Sequence, residues 1–100
     1  METIFKEEGT DYVLYFVGRL DTAAATQTEK DIEALNDCMG HDVILDCEKL
    51  EYISSSGLRI FLGILKGAKS KGSHVYIRGL GDELMRVFTM TGFTNLFEYK

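Results

Sequence analysis

"VILDCEKLEYISSSGLRIF", residues 43–61, starts as an apolar run, crosses a polar stretch with three consecutive serines and a glycine, and ends in apolar positions. Val43, Ile44 and Leu45 read as a short strand. Leu58, Phe61, Leu62, Leu65 and Ala68 recur at i, i+3, i+4, i+7 and i+10, the period of an amphipathic helix. A strand followed at once by a helix is half of a crossover unit, which points to an α/β fold. One hydroxyl is enough to cap a helix. Three in a row raise the question of whether one of them does chemistry.

The pattern continues on both sides. Upstream, "TIFKEE" (3–8), the turn "GTD" and "YVLYFVGRL" (12–20) predict a β-hairpin. In its second strand Tyr12, Leu14 and Phe16 alternate with Val13, Tyr15 and Val17, so apolar residues occupy both parities. That predicts a strand covered on both faces, or one carrying tyrosines at its edge. "DTAAATQTEKDIEALND" (21–37) changes period: Asp21 or Thr22 can cap, three alanines favour helix, and Ile32 with Leu35 continue the stripe. In "HDVILDCEKL", Asp46 reads as a turn residue at the end of a short strand. Lys66, Lys69 and Lys71 suit a helix C-terminus, and Gly72 ends that helix. Gly63 and Gly67, one turn apart, predict close packing of the helix against a sheet. "SHVYIRG" reads as a strand, "GDELMRVFTMTG" as a third helix and "NLFEYK" as a last short strand. The order is β-β-α-β-α-β-α-β, a mixed sheet with crossover helices.

At 100 residues the chain is expected to form a single domain, 1–100, with one core. Hydrophobic residues make up 45% and charged residues 27%, ordinary values for a globular protein, and the net charge is −5. That charge argues against a nucleic-acid partner, which needs a basic footprint. Residues 1–50 hold the acidic excess, and the second half supplies most of the basic surface. The most apolar window, "GLRIFLGILKGA", is too short to span a bilayer and is broken by Arg59 and Lys66. With no signal-peptide pattern, the expected location is the cytoplasm, away from membranes. Cys38 and Cys47 lack metal-ligand spacing, and nothing requires them to pair; Cys47, behind an apolar run, reads as buried. His41 and His74 read as loop-edge residues, so no metal or cofactor is expected.

The serine run lies where a strand feeds a helix, the place at which open α/β sheets gather their chemistry. Free N–H groups and a partial positive charge at the helix start favour an anion there. Gly57 would let another backbone or a nucleotide approach. The nucleophile elbow of hydrolases is missing, because no serine has glycine two residues before it. A receiver-type phosphoacceptor at Asp46 would need an acidic pair after the first strand, and that strand opens a hairpin instead. Nucleotide binding through the serine loop and "RGLGD" lacks a Walker-type lysine.

Four segments together, "GRLDTAAA" (18–25), "VILDCEKLEYISSSGLRIF" (43–61), "AKSKGSHVYIRGL" (68–80) and "VFTMTGFTNLF" (87–97), resemble the STAS domain, specifically the stand-alone bacterial anti-sigma factor antagonists. They cover most of the chain in the family's order. The resemblance implies a binding module and not an enzyme. In the family, the unphosphorylated antagonist binds an anti-sigma factor that is also a serine-protein kinase, which frees a sigma factor. Phosphorylation of a serine or threonine in a D-S-S/T-G motif ends the binding, and a PP2C-type phosphatase resets it. Matching the motif's glycine to Gly57 puts the acceptor at Ser55, with Ser54 and Ser56 as alternatives. Ser54 then stands where the family usually has aspartate. Asp21, in "GRLD", matches a position that approaches the acceptor loop; helix capping is its other reading. The implied partner surface is Ser54, Ser55, Ser56, Gly57, Arg59 and Asp21, with helix 82–90 beside it. The rival expectation is a STAS scaffold subunit of a larger signalling assembly, without a phosphorylation switch.

Overall fold

A computed structural model of the chain describes residues 1–32 and 41–99. Strands β1 (Glu2–Glu8) and β2 (Asp11–Leu20) form the hairpin, followed by α1 (Thr22–Asp31), β3 (Asp42–Ile53), α2 (Ser55–Ser70), β4 (Val75–Arg78), α3 (Asp82–Met90) and β5 (Glu98–Tyr99). The α/β order is the one predicted. Among the described residues of the last expected strand, Glu98–Tyr99 pair with β4, while Asn95 belongs to a 3₁₀ turn, Phe93–Asn95, that Leu96 caps. Leu35 and Cys38 lie outside the described residues.

The strands lie in the order β1-β2-β3-β4-β5, β1 antiparallel to β2 and all later neighbours parallel. Each helix therefore crosses over one step in the same direction. Right-handed crossovers stepping one way place all their helices on one face. Burial follows from that. Leu14, Phe16, Val43, Leu45, Cys47, Val75 and Ile77 share the helix-facing parity and form one cluster with Leu58, Phe61, Leu65, Leu84 and Phe88. Phe61 sits centrally, its ring 5.0 Å from Phe16, 6.1 Å from Phe88 and 6.5 Å from Phe97.

The opposite parity of β2 and β3 is also covered, among the described residues by side chains of the strands themselves. Val13 and Ile44 are buried there, beside a polar roof with one residue from each of four strands. Arg78 donates from Nε to Asp46 Oδ2 at 2.9 Å and from a terminal nitrogen to Tyr15 Oη at 3.2 Å. The Tyr15 hydroxyl donates to Glu8. This explains the apolar residues on both parities of β2: one set meets helices, and the other lies under paired polar groups.

Three expectations are corrected. Asp46 does not end a strand: it is buried in the middle of β3, paired with Arg78, and also accepts from the Glu48 amide at 3.1 Å. Gly63 and Gly67 do not pack against the sheet. Both are exposed, and a Cβ on either would meet nothing within 4 Å. Gly57 is the closely packed glycine, and its neighbours are the Leu20 and Ile53 side chains, not a nucleotide or another backbone.

Gly72, at φ +78, ends α2 as expected. Its amide donates to the Lys69 carbonyl at 3.0 Å and the Ser73 amide to Ala68 at 2.9 Å, the Schellman pair of bonds. Cys47 is buried, and burial, reinforced by Asp46, pushes its thiol pKa well up.

Candidate functional site

The end of β2 and the end of β3 are parallel neighbours, with Leu20 opposite Ile53. The next residue on each strand, Asp21 and Ser54, begins a helix. Asp21 Oδ1 accepts from the Ala24 amide at 2.8 Å, and Ser54 Oγ accepts from the Gly57 amide at 3.2 Å. Both are therefore N-caps. A backbone bond from the Ser54 amide to the Leu20 carbonyl, 2.9 Å, ties the two starts together. The first turn of α2 is pressed onto this junction: a Cβ on Gly57 would lie 2.8 Å from both Ile53 Cγ1 and Leu20 Cγ. Only glycine lets the helix start so close to the strand ends.

This framework separates the three serines. Ser54 is buried as the cap, Ser55 is exposed on the first residue of the helix, and Ser56 is half-buried. Ser56 and Arg59 line one wall of a groove of about 210 Å³, and Thr22, Ala25, Thr26 and Glu29 of α1 line the other. Arg59 is exposed, one turn along from Ser55, and forms no ion pair among the described residues. Neither α1 nor α2 has an acidic residue in its first turn. The Asp21 carboxylate already offsets the start of α1, whereas α2 begins with the neutral Ser54 cap and no acid in its first turn, which favours an anion at Ser55.

The structure brings Asp21, Ser54, Ser56, Gly57 and Arg59 around Ser55. Asp21 takes the capping reading. The rest of the groove, Thr22, Thr26 and Glu29, was not among the expected residues. Their i, i+4, i+7 spacing marks one helix face, a signal that needs the neighbouring helix to have meaning. Helix α3 lies on the same face of the sheet, with Phe88 against Phe61. Asp82 and Glu83 already occupy its first turn, and its cap, Gly81, offers no side chain. That disfavours phosphate at "RGLGD". Gly79 there, at φ +73, is held close to Glu48.

Among the described residues no group of three or more His, Cys, Asp or Glu could hold a metal. A His41 ring nitrogen lies 2.8 Å from the Thr10 carbonyl, with the ring stacked on Tyr12, and His74 lies 3.2 Å from Glu98. No described helix is long and apolar enough to cross a membrane.

Comparison with known proteins agrees with this arrangement. The STAS domain family model matches residues 3–100. The chain belongs to the STAS domain family. It is 31% identical over 96 residues to the anti-sigma-B factor antagonist of Listeria monocytogenes, covering 95% of this chain and 84% of that protein. With the antagonist of the same name from Staphylococcus aureus it shares 29% over 79 residues, 79% of this chain and 73% of that one. Among solved structures, a STAS domain anti-sigma-factor antagonist from Planctomyces limnophilus superposes with a TM-score of 0.88 at 16% identity, covering 98% of this chain and 87% of that one. The anti-sigma factor antagonist SpoIIAA in its unphosphorylated form gives 0.75 at 17%, covering 99% and 87%. The Bacillus protein in its phosphorylated form gives 0.74 at 18%, covering 99% and 91%. At these identities the structural likeness shows the STAS fold.

Proposed function

We propose that this STAS domain is an anti-sigma factor antagonist whose hold on an anti-sigma factor of the serine-kinase type is released by phosphorylation of Ser55. The observation that carries the proposal is the division of labour among the serines. Ser54 is committed to the cap, Ser56 lies half inside the groove, and Ser55 stands exposed at a helix start. A kinase needs a hydroxyl that it can reach without unfolding the loop, and Ser55 meets that need. Relatives named anti-sigma-B factor antagonists, and the same fold in a protein known in a phosphorylated form, support the reading. Ser54 in place of the family's aspartate fits as well: serine and aspartate are about equally good N-caps, so the helix start is kept.

The switch follows from charge. A phosphoserine brings about −1.5 to −2 charges at neutral pH. At the start of α2 it meets amide donors and the helix dipole, so the fold tolerates it. On a partner's surface the same group repels acidic side chains and resists desolvation. Asp21, Ser54 and Gly57 set the shape of the contact from below, while Ser55, Ser56 and Arg59 meet the kinase. A PP2C-type phosphatase, acting on the exposed ester, resets the protein.

The test compares wild type with Ser55→Asp. The variant is expected to melt within a few degrees of wild type, yet fail to capture the anti-sigma kinase from lysates of the native cells. Undiminished capture, or a melting point far below wild type, contradicts the proposal.

A further inference from the structure

Strand β1 is the outermost strand, with β2 as its one neighbour among the described residues. Seven residues long, it carries two large apolar side chains in partial exposure, Ile4 at 36% and Phe5 at 37%. Its free edge can be read residue by residue. The hairpin closes through a two-residue turn, Gly9 and Thr10, so Glu8 and Asp11 flank it and exchange the hydrogen bonds of the first pair. Hydrogen-bonded and non-bonded pairs alternate along an antiparallel ladder. Residues 2, 4, 6 and 8 therefore turn their backbone groups towards β2. Thr3, Phe5 and Glu7 turn theirs to the free side.

A second β1 could pair on this edge about a two-fold axis only in registers that oppose outward-facing residues with one another. Those are the registers centred on a single residue. Centring on Phe5 sets Glu2 against Glu8, and centring on Lys6 sets Lys6 against itself and Ile4 against Glu8. Centring on Thr3 leaves Glu2 against Ile4. Centring on Ile4 opposes Ile4 with Ile4, Thr3 with Phe5, and Glu2 with Lys6 twice. That register alone pairs apolar with apolar at the axis and opposite charges on either side. Glu8 falls outside it, and its carboxylate is already engaged by Tyr15 and Arg78. Opposite charges directly across a ladder stabilise it, and like charges do the reverse.

We propose that β1 is the interface of a symmetric dimer, pairing antiparallel with β1 of a second copy so that Ile4 meets Ile4 and Glu2 meets Lys6. The ladder bonds then come from Thr3 and Phe5 of each copy, in one continuous ten-strand sheet. The serine groove of each copy, at the junction of β2, β3, α1 and α2, takes no part in this pairing.

Charge exchange tests this. Lys6→Glu sets glutamate against glutamate in the homodimer, and Glu2→Lys sets lysine against lysine. By sedimentation, wild type is expected to self-associate, and each single variant to do so about tenfold more weakly or worse. Mixed together, the two single variants regain complementary pairs and are expected to form a heterodimer, and the double variant to recover wild-type association. Circular dichroism checks that each variant is folded. Independently, the Thr3 and Phe5 amides of wild type should gain protection from hydrogen exchange as concentration rises. A wild-type chain that stays monomeric at millimolar concentration overturns the proposal. So does self-association that neither single variant weakens, or no heterodimer on mixing folded single variants.

Discussion

The glycines of α2 share one chemistry and meet opposite surroundings. A methyl group on Gly57 would be driven into Leu20 and Ile53, buried branched side chains with no room to swing away. Gly57→Ala is expected to destabilise the fold by about 1–3 kcal/mol. Gly63 and Gly67 face open space inside a helix, so alanine there removes only the entropic weakness of glycine. Each substitution should stabilise by about 0.5–1 kcal/mol. Urea midpoints moving in opposite directions for the two kinds of site would check both. Ser54→Ala removes the cap and should cost about 1 kcal/mol, whereas Ser54→Asp should hold stability near wild type. In the sequence, Gly63 and Gly67 fit a helix packed against a sheet, and Gly57 fits an approach by another backbone or a nucleotide. Which one is pressed down depends on where Leu20 arrives from β2, and helical spacing does not carry that information.

β3 shows what an element gains from partners far along the chain. An acid after "VIL" looks like the end of a strand, because an unpaired carboxylate is costly to bury. Asp46 stays inside because Arg78, 32 residues away, brings the opposite charge from β4. Arg78→Ala should cost about 1–2 kcal/mol in denaturant unfolding, less than for a fully buried pair because Arg78 is a third exposed. The neighbouring Cys47 makes β3 sensitive to alkali. Its folded pKa is raised by burial, while an unfolded thiol titrates near about 8.5. Below that pH both states hold the proton and the contribution is complete. As pH rises above it, the unfolded chain gives up the proton first, and stability falls by up to about 1.4 kcal/mol per pH unit. Unfolding free energies measured from about pH 8 to 9.5, below the usual tyrosine range, should slope downward for wild type and less steeply for Cys47→Ala. The start of the strand and the burial of Cys47 were legible in a run of apolar residues. Its true end at Ile53 was not, because two register shifts against β2 disturb the alternation.

Across the whole molecule, the order of elements was legible because each element carries its own period and its own punctuation, such as the hairpin glycine or Gly72. The position of the serine loop came with that order. The roles of the three serines did not, since they rest on the Leu20 carbonyl holding the Ser54 amide. Nor did the groove, which needs α1 beside α2. The resulting architecture sets two helix starts and Ser55 at one end of the sheet and, among the described residues, puts the helices on one face and the polar roof on the other, so a charge added at Ser55 lies remote from that roof. A phosphate there is expected to change what the domain binds and leave the sheet intact. The most direct measurement is phosphopeptide mapping by mass spectrometry of the protein from its native cells under several growth conditions. The account predicts phosphate on Ser55 in a fraction that changes with conditions. Phosphate confined to Ser54 or Ser56, or none in any condition, would contradict it.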